Sequence, residues 1–370
     1  MGMLRFIFCL VICGVSSWSA AENRVTVGVP GVLTGDLAVI GDNIKKTIET
    51  YQRHYLRHPV DFIFEDAKKS GADGLSAYKK LIEVDKVDML IGGTVSNGTM
   101  AGAPLINQSK TVMITPLTGG SNIDSAGEYI FRIGSSDILN ARQQADLFLA
   151  RGIKEVALFT EQTEYTQDIA KHFREHFLQQ GGAIVFDEDF LPDLPSFRST
   201  IVRLKSRKPQ AIFMSTQTGL AFGIFIREYR QIASGSETEI HTNFVAACNP
   251  DAFQAAGRAL DGVRYLAPYY DSSNSRLKSF FEYFELDHGS KPAIPMHSAG
   301  TFDSLELLQS YLDKVGSYSS AGFHDYLLSE VKEYKGLMGR YSFDSRGNAD
   351  AGFSPSVIRV VNQIVVQSLI

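Results

Sequence analysis

The chain has 370 residues, 36 basic and 41 acidic, for a formal net charge of -5. That mild acidity argues against a nucleic-acid partner, and the length exceeds the roughly 250 to 300 residues at which one core stops growing, so two lobes are expected. Three cysteines and eight scattered histidines give no zinc-ligand spacing, so neither a metal nor a cofactor is expected.

Residues 1–21 read as an export signal: Arg5 supplies the charge, residues 6–15 the apolar stretch, and Ser19, Ala20 and Ala21 a small-residue cleavage site. The apolar run is about half of the roughly 20 residues a membrane span needs. A lipid-anchored form would use Cys13, but the bulky Ile12 before it makes a poor lipobox. Cleavage after Ala21 removes Cys9 and Cys13 and leaves Cys248 alone, so no intramolecular disulfide can form. A soluble, periplasmic protein beginning at Glu22 is expected.

Behind the signal, residues 25–29 are β-branched and apolar, a strand. Pro30, Gly31, Thr34, Gly35 and Gly41 make a loop whose small side chains let a ligand approach backbone N–H groups. Ile44, Ile48, Tyr51 and Tyr55 then recur at helical spacing. Residues 60–64 predict a strand, 75–84 a helix, and 87–91 a strand ending in GGTVSNG. Residues 111–115 predict a strand closing in PLTGGSN, and 155–159 another, followed by a helix with Ile169, Phe173 and Phe177 on one face. The second half repeats the first: strand from 183–186, polar loop 189–196, helix 197–206, strand 211–214 ending in STQTG. Residues 262–268 and 339–343 have strand composition, and Phe302, Leu305, Leu308, Leu312 and Val315 form a helical packing stripe. This alternation predicts an α/β fold of two similar doubly wound lobes, each with a mostly parallel sheet.

No GxGxxG dinucleotide fingerprint, phosphate-loop lysine or GxSxG nucleophile elbow is present, and no carboxylate pair is marked for catalysis, so an enzyme is not expected. The hydroxyl- and amide-rich loops at strand ends are suited to binding instead. Ser96 and Asn97 can serve as plain helix caps or can hold an anion at a helix start. Leu117, Thr118 and Gly119 sit in a similar place, where turn formation is an equally good account. His297 alone is more often a satisfied or exposed histidine.

The order VGVPGVLTGDLAVIGDNI, MLIGGTVSNGT, VMITPLTGG, VALFTEQTEYTQDIA, FRSTIVRLKSRKPQAIFM, TFDSLELL resembles the leucine/isoleucine/valine-binding protein family, the type I periplasmic binding proteins of ABC importers. The resemblance runs over residues 25–348. It implies a bilobed, monomeric receptor joined by a three-strand hinge, closing on a small solute and presenting it to a membrane permease of an ABC transporter. The implied lobes are 24–136 with 268–337 and 137–267 with 338–370, with hinges near Asp137, Pro268 and Leu337. The implied carboxylate site is Ser96 with the loop of Leu117, Thr118 and Gly119, where Gly119 replaces the family's usual threonine. Tyr165, Gln217 and Thr218 close from the second lobe. The family's acid for a ligand ammonium falls near Val245, where no acid exists, and two pocket aromatics fall at Ile40 and His297. A small polar or carboxylated solute is therefore expected, with free branched-chain amino acids binding poorly and an amine-free solute, such as an amide or organic acid, able to bind well. A periplasmic sensor of the same fold is the alternative; a hydrolase is more distant.

Overall fold

A computed structural model describes residues 24–235, 237–361 and 364–369. The expected signal peptide lies outside the described residues. The first sheet is wholly parallel, in the order β2-β1-β3-β4-β5, where β1 is Val25–Gly31, β2 Val60–Asp66, β3 Met89–Ile91, β4 Val112–Thr115 and β5 Ile130–Arg132. Parallel strands are covered on both faces. Accordingly every residue of β3 and β4 is buried, which is why both read as unbroken apolar runs.

The second sheet is built from β6 (Glu155–Glu161), β7 (Ala183–Phe190), β8 (Ala211–Ser215), β9 (Glu239–Asn243) and β10 (Arg264–Pro268), all parallel. Between β10 and the end of the chain stands a separate hairpin of β11 (Tyr334–Gly336) and β12 (Gly339–Tyr341), with Tyr334 opposite Tyr341. Residues 339–343 thus do hold a strand, but in neither lobe's sheet. Two antiparallel strands, β13 (Phe353–Val361) and β14 (Ile364–Leu369), complete the second sheet in the order β14-β13-β10-β9-β8-β6-β7. The result is two α/β lobes with mostly parallel sheets.

Helices fill the crossovers; most bury one stripe, while the Pro295–Val315 helix is buried on all sides from Met296 to Gln309. In Ala38–His54, Ile40, Ile44, Ile48 and Tyr51 face the core. The segment expected as one helix at 75–84 is an α-helix over Gly71–Lys79 that continues as a π turn, Lys80–Val84. Its contact with the Ser96–Ser109 helix is backbone to backbone: a Cβ on Gly74 would stand 2.4 Å from the Gly98 Cα. Two glycines therefore set how closely the helix carrying Ser96 lies on its neighbour.

The Pro295–Val315 helix begins with proline at its first turn, where the missing N–H costs nothing. Phe302, Leu305, Leu308 and Leu312 are buried, but Val315 is 53% exposed, because the helix has reached the surface. Polar clamps join this helix to Ala38–His54. Asn43 Nδ2 donates to Ser298 Oγ at 2.9 Å, and Asn43 Oδ1 accepts from Ile294 N at 3.1 Å. Further along, the Tyr51 hydroxyl donates to Glu306, which also accepts from Arg57 at 3.0 Å and Arg276 at 2.7 Å. The Asn43 bonds fix the start of the helix, where His297 sits.

The first sheet ends with β5 and the second begins with β6; after β10 the Pro295–Val315 helix packs on Ala38–His54 and β4 of the first sheet, and β13 returns to the second. Leu337 N and Met338 N donate to the Asp303 carboxylate at 2.7 and 2.9 Å, and the Phe343 ring packs edge-on against Phe131, so this stretch is fastened to first-lobe residues.

Candidate functional site

Between the carboxyl ends of the two sheets lies a cavity of about 360 Å³. Ligands of open α/β sheets bind at this end of the strands. Of the residues singled out from the sequence, Ser96, Asn97, Leu117, Gly119, Tyr165, Gln217, Val245 and His297 line it. Thr118 and Thr218 do not.

The first wall is a helix start. Strand β3 stops at Ile91, and the Ser96–Ser109 helix begins five residues after it, with Val95 at the N-cap position and no side-chain cap. Uncapped first-turn N–H groups and the helix dipole together favour an anion. Ser96 Oγ accepts from Gly120 N at 3.1 Å, which leaves its proton to donate into the cavity. Thr118 is spent internally: its hydroxyl donates to the Gly93 carbonyl and bonds Thr115 Oγ1, tying the two loops together beneath the cavity floor.

The facing wall is organised by Glu161, the last residue of β6. Its buried carboxylate accepts from Thr216 Oγ1 at 2.5 Å, Gln217 N at 2.9 Å, Thr218 N at 3.0 Å and the Thr218 hydroxyl. Thr218 therefore shapes the loop from behind while Gln217 faces the cavity. Leu37, Ile40, Val95, Phe244, Val245 and Phe353 supply apolar surface.

Several polar atoms of the wall have no protein partner. His297 is 2% exposed and its Nδ1 is unpartnered; burial pushes its pKa down to about 3, so the ring is neutral. Tyr165 is half-buried with its hydroxyl out of reach of solvent and unpartnered, and burial, reinforced by the Asp137 carboxyl, raises its pKa well above the usual tyrosine range.

Asp137 is the residue whose role the sequence reading did not find, having marked it only as a hinge. It opens the Asp137–Ala150 helix behind the N-cap Ser136, is 2% exposed, and lines the cavity with Oδ2 unpartnered. Its N–H donates to the Gly119 carbonyl at 2.7 Å, and a Cβ on Gly119 would stand 2.2 Å from Oδ2. The carboxyl occupies space that only glycine at 119 leaves open. Burial raises its pKa to about 7; Arg132 opposes that shift, while Asp168 and Asp124 add to it.

Beside the cavity the two walls are bridged. Asp168, on the Glu164–Gln179 helix of the second lobe, accepts from Ser121 N at 3.0 Å and Ser121 Oγ at 2.9 Å in the first, and His172 Nε2 stands 3.4 Å from it. Neither Ser121 nor Asp168 carried a local sequence signal.

Two α/β lobes facing one cavity, with a helix start on one side and unpartnered polar atoms around it, define a solute-binding protein. The chain belongs to the periplasmic binding protein family, whose profile matches residues 24–356; within it the likeness is to the leucine/isoleucine/valine-binding type I proteins, which bind solutes and are not enzymes. The Leu/Ile/Val-binding protein homolog 3 of Brucella melitensis is 20% identical over 342 residues, 89% of this chain and 90% of the relative. Among solved structures, a solute-binding protein of an ABC transporter from Rhodopseudomonas palustris BisB5, in complex with 3,4-dihydroxybenzoic acid, has a TM-score of 0.82 at 22% identity, covering 94% of this chain and 97% of that one. The substrate-binding protein LivJ of Streptococcus pneumoniae, in complex with isoleucine, has a TM-score of 0.81 at 19% identity, covering 94% and 99%.

Proposed function

We propose that the protein is the extracytoplasmic receptor of a branched-chain-amino-acid-type ABC importer, exported to the periplasm, acting as a monomer and handing a small carboxylated solute to a membrane permease. The observation that carries the solute class is the uncapped helix start at Ser96, with its free hydroxyl proton, opening on the cavity. The relatives named above, one holding an aromatic acid and one an amino acid, support the same class.

Ser96→Ala is expected to weaken binding by roughly 1 to 3 kcal/mol, because a buried ligand oxygen loses its partner. The probe is the solute that mass spectrometry finds retained by the purified protein, titrated by calorimetry against both forms. A retained solute with no acidic group, or an unchanged affinity, sinks the reading.

Closure is proposed as a hinge motion of 24–136 with 268–349 against 137–267 with 350–370. The third boundary is set beyond Leu337 because Leu337, Met338 and Phe343 are held by Asp303 and Phe131, and Gly347 and Ala349 bond the backbone of Arg132 at 2.8 Å each. Small-angle scattering should show a smaller radius of gyration with saturating solute, and no change would count against the motion.

A further inference from the structure

The Asp137 side chain lines the cavity without a counter-ion. It is 2% exposed with Oδ2 unpartnered, and Arg132, which attracts its charge, spends its side-chain bond on Asp124, Nη2 to Oδ1 at 2.5 Å. Lys69, the basic residue of the cavity wall, is held by Asp36 at 2.9 Å. A carboxyl taken out of water with no cation bonded to it keeps its proton, and a protonated carboxyl is a hydrogen-bond donor. Two glycines set the place of that donor. Asp137 N donates to the Gly119 carbonyl at 2.7 Å, and a Cβ on Gly119 would stand 2.2 Å from Oδ2, so the acid oxygen fills the space in which a side chain of residue 119 would begin. Ser96 Oγ accepts from the N–H of the next residue, Gly120, at 3.1 Å. The hydroxyl and the carboxyl thus flank one Gly-Gly pair on the wall of one cavity.

We propose that the protonated Asp137 carboxyl stands in for the hydroxyl that residue 119 lacks and, beside Ser96, donates a hydrogen bond to the solute's carboxylate, so that capture of the solute takes up a proton. This rests on the carboxylate reading of Ser96. A neutral acid donating to a carboxylate makes a strong, short bond, whereas an ionised Asp137 would repel the same group. The switch falls in the neutral range, since burial raises the Asp137 pKa to about 7. Arg132 favours its charged form, and Asp168 and Asp124 its neutral form. Tyr165, Lys69, Glu164 and neutral His297 are the other titratable groups of the cavity wall, and His172 stands 3.4 Å from Asp168. The arrangement asks for no amine on the solute.

The test is calorimetry on the mature protein across the range from mildly acid to mildly alkaline pH, in paired buffers of different ionisation enthalpy. The probes are benzoate, 4-hydroxybenzoate, the proteinogenic amino acids and their 2-oxo acids, and the tightest is carried through the series. Its affinity should be level below about 7 and fall roughly tenfold per pH unit above, with proton uptake on binding near neutrality. Asp137→Asn keeps an N–H donor that does not titrate, so its affinity should stay level across the range with no proton uptake. Asp137→Ala combined with Gly119→Ser, which puts a fixed hydroxyl into the vacated space, should be level as well, in a protein whose melting confirms that it is folded. Ser96→Ala should weaken binding at every pH and leave the slope in place. Asp303, also raised to about 7, is common to all these forms, so a slope of its making would persist in Asp137→Asn. That persistence, a level affinity in the parent, or proton release on binding overturns the inference; release would make Asp137 a counter-ion for a cationic group. If Ser96→Ala weakens binding while the parent's affinity is level, only the Asp137 assignment fails. If no carboxylate in the panel binds, the Ser96 reading and this one fall together.

Discussion

Glu161→Ala is expected to lower stability by roughly 2 to 4 kcal/mol and to weaken solute binding in the same protein. The carboxylate satisfies two hydroxyls and two backbone N–H groups, all in residues 216–218, and Glu161 itself is fully buried. Truncation leaves those donors facing an apolar void. Thr216 is buried, so water reaches its hydroxyl poorly, while Gln217 and Thr218, half-buried, recover part of the loss by hydration. The loop then loses the anchor that turns Gln217 toward the cavity. Urea unfolding measures the first effect and calorimetry the second; a stability loss below about 1 kcal/mol would show that the cradle is already hydrated.

Asp137→Asn should act in the opposite direction on stability, and only above acidic pH. A carboxyl whose folded pKa lies above its unfolded value binds its proton more tightly when folded. With 3.8 rising to about 7, the contribution is fully present below 3.8, declines as pH rises between the two values, and is gone above about 7. Integrated, that span corresponds to at most about 4 kcal/mol at 1.36 kcal/mol per unit. The ligand-free variant should therefore be more stable than the parent at mildly alkaline pH, by roughly 2 to 4 kcal/mol, and close to it in acid. Asp303, also raised to about 7 by burial, gives a slope of the same sign, but it is common to both proteins and drops out of the difference. Thermal melts of the two forms across the pH range decide it, and a constant difference would show that the Asp137 carboxyl is not desolvated as the geometry implies.

The units that could be read from the chain were those whose information is local. Strands β1, β3, β4, β6 and β8 are apolar runs because both faces are covered, and the helices beside them show a one-sided stripe. Strands β13 and β14 escaped, since an antiparallel edge pair following a loop of Gly, Asn and Asp carries neither the strand-helix alternation nor a continuous buried run. In the cavity the loops were legible and the direction of single side chains was not. Thr118 and Thr218 have the right chemistry in the right loops, yet a buried carbonyl at Gly93 and the Glu161 carboxylate claim their hydroxyls from behind. Asp137 was passed over because its burial depends on Gly119, eighteen positions earlier in the chain. The available signal was that pairing: a missing side chain in one loop and an acid at the next helix start.

The bond between Ser121 and Asp168 has a consequence for time rather than for affinity. On the proposed closure, a contact that joins the two lobes without help from the solute would make the shut form part of the resting population, so less of the ligand's binding energy would go into shutting it. Entry then waits on spontaneous opening, and so does escape; association slows, and a captured molecule stays longer. On the proposed closure and hand-over to a permease, the dwell time would be set by this bond, and a membrane partner that drew Ser121 away from Asp168 would hasten delivery without touching the solute.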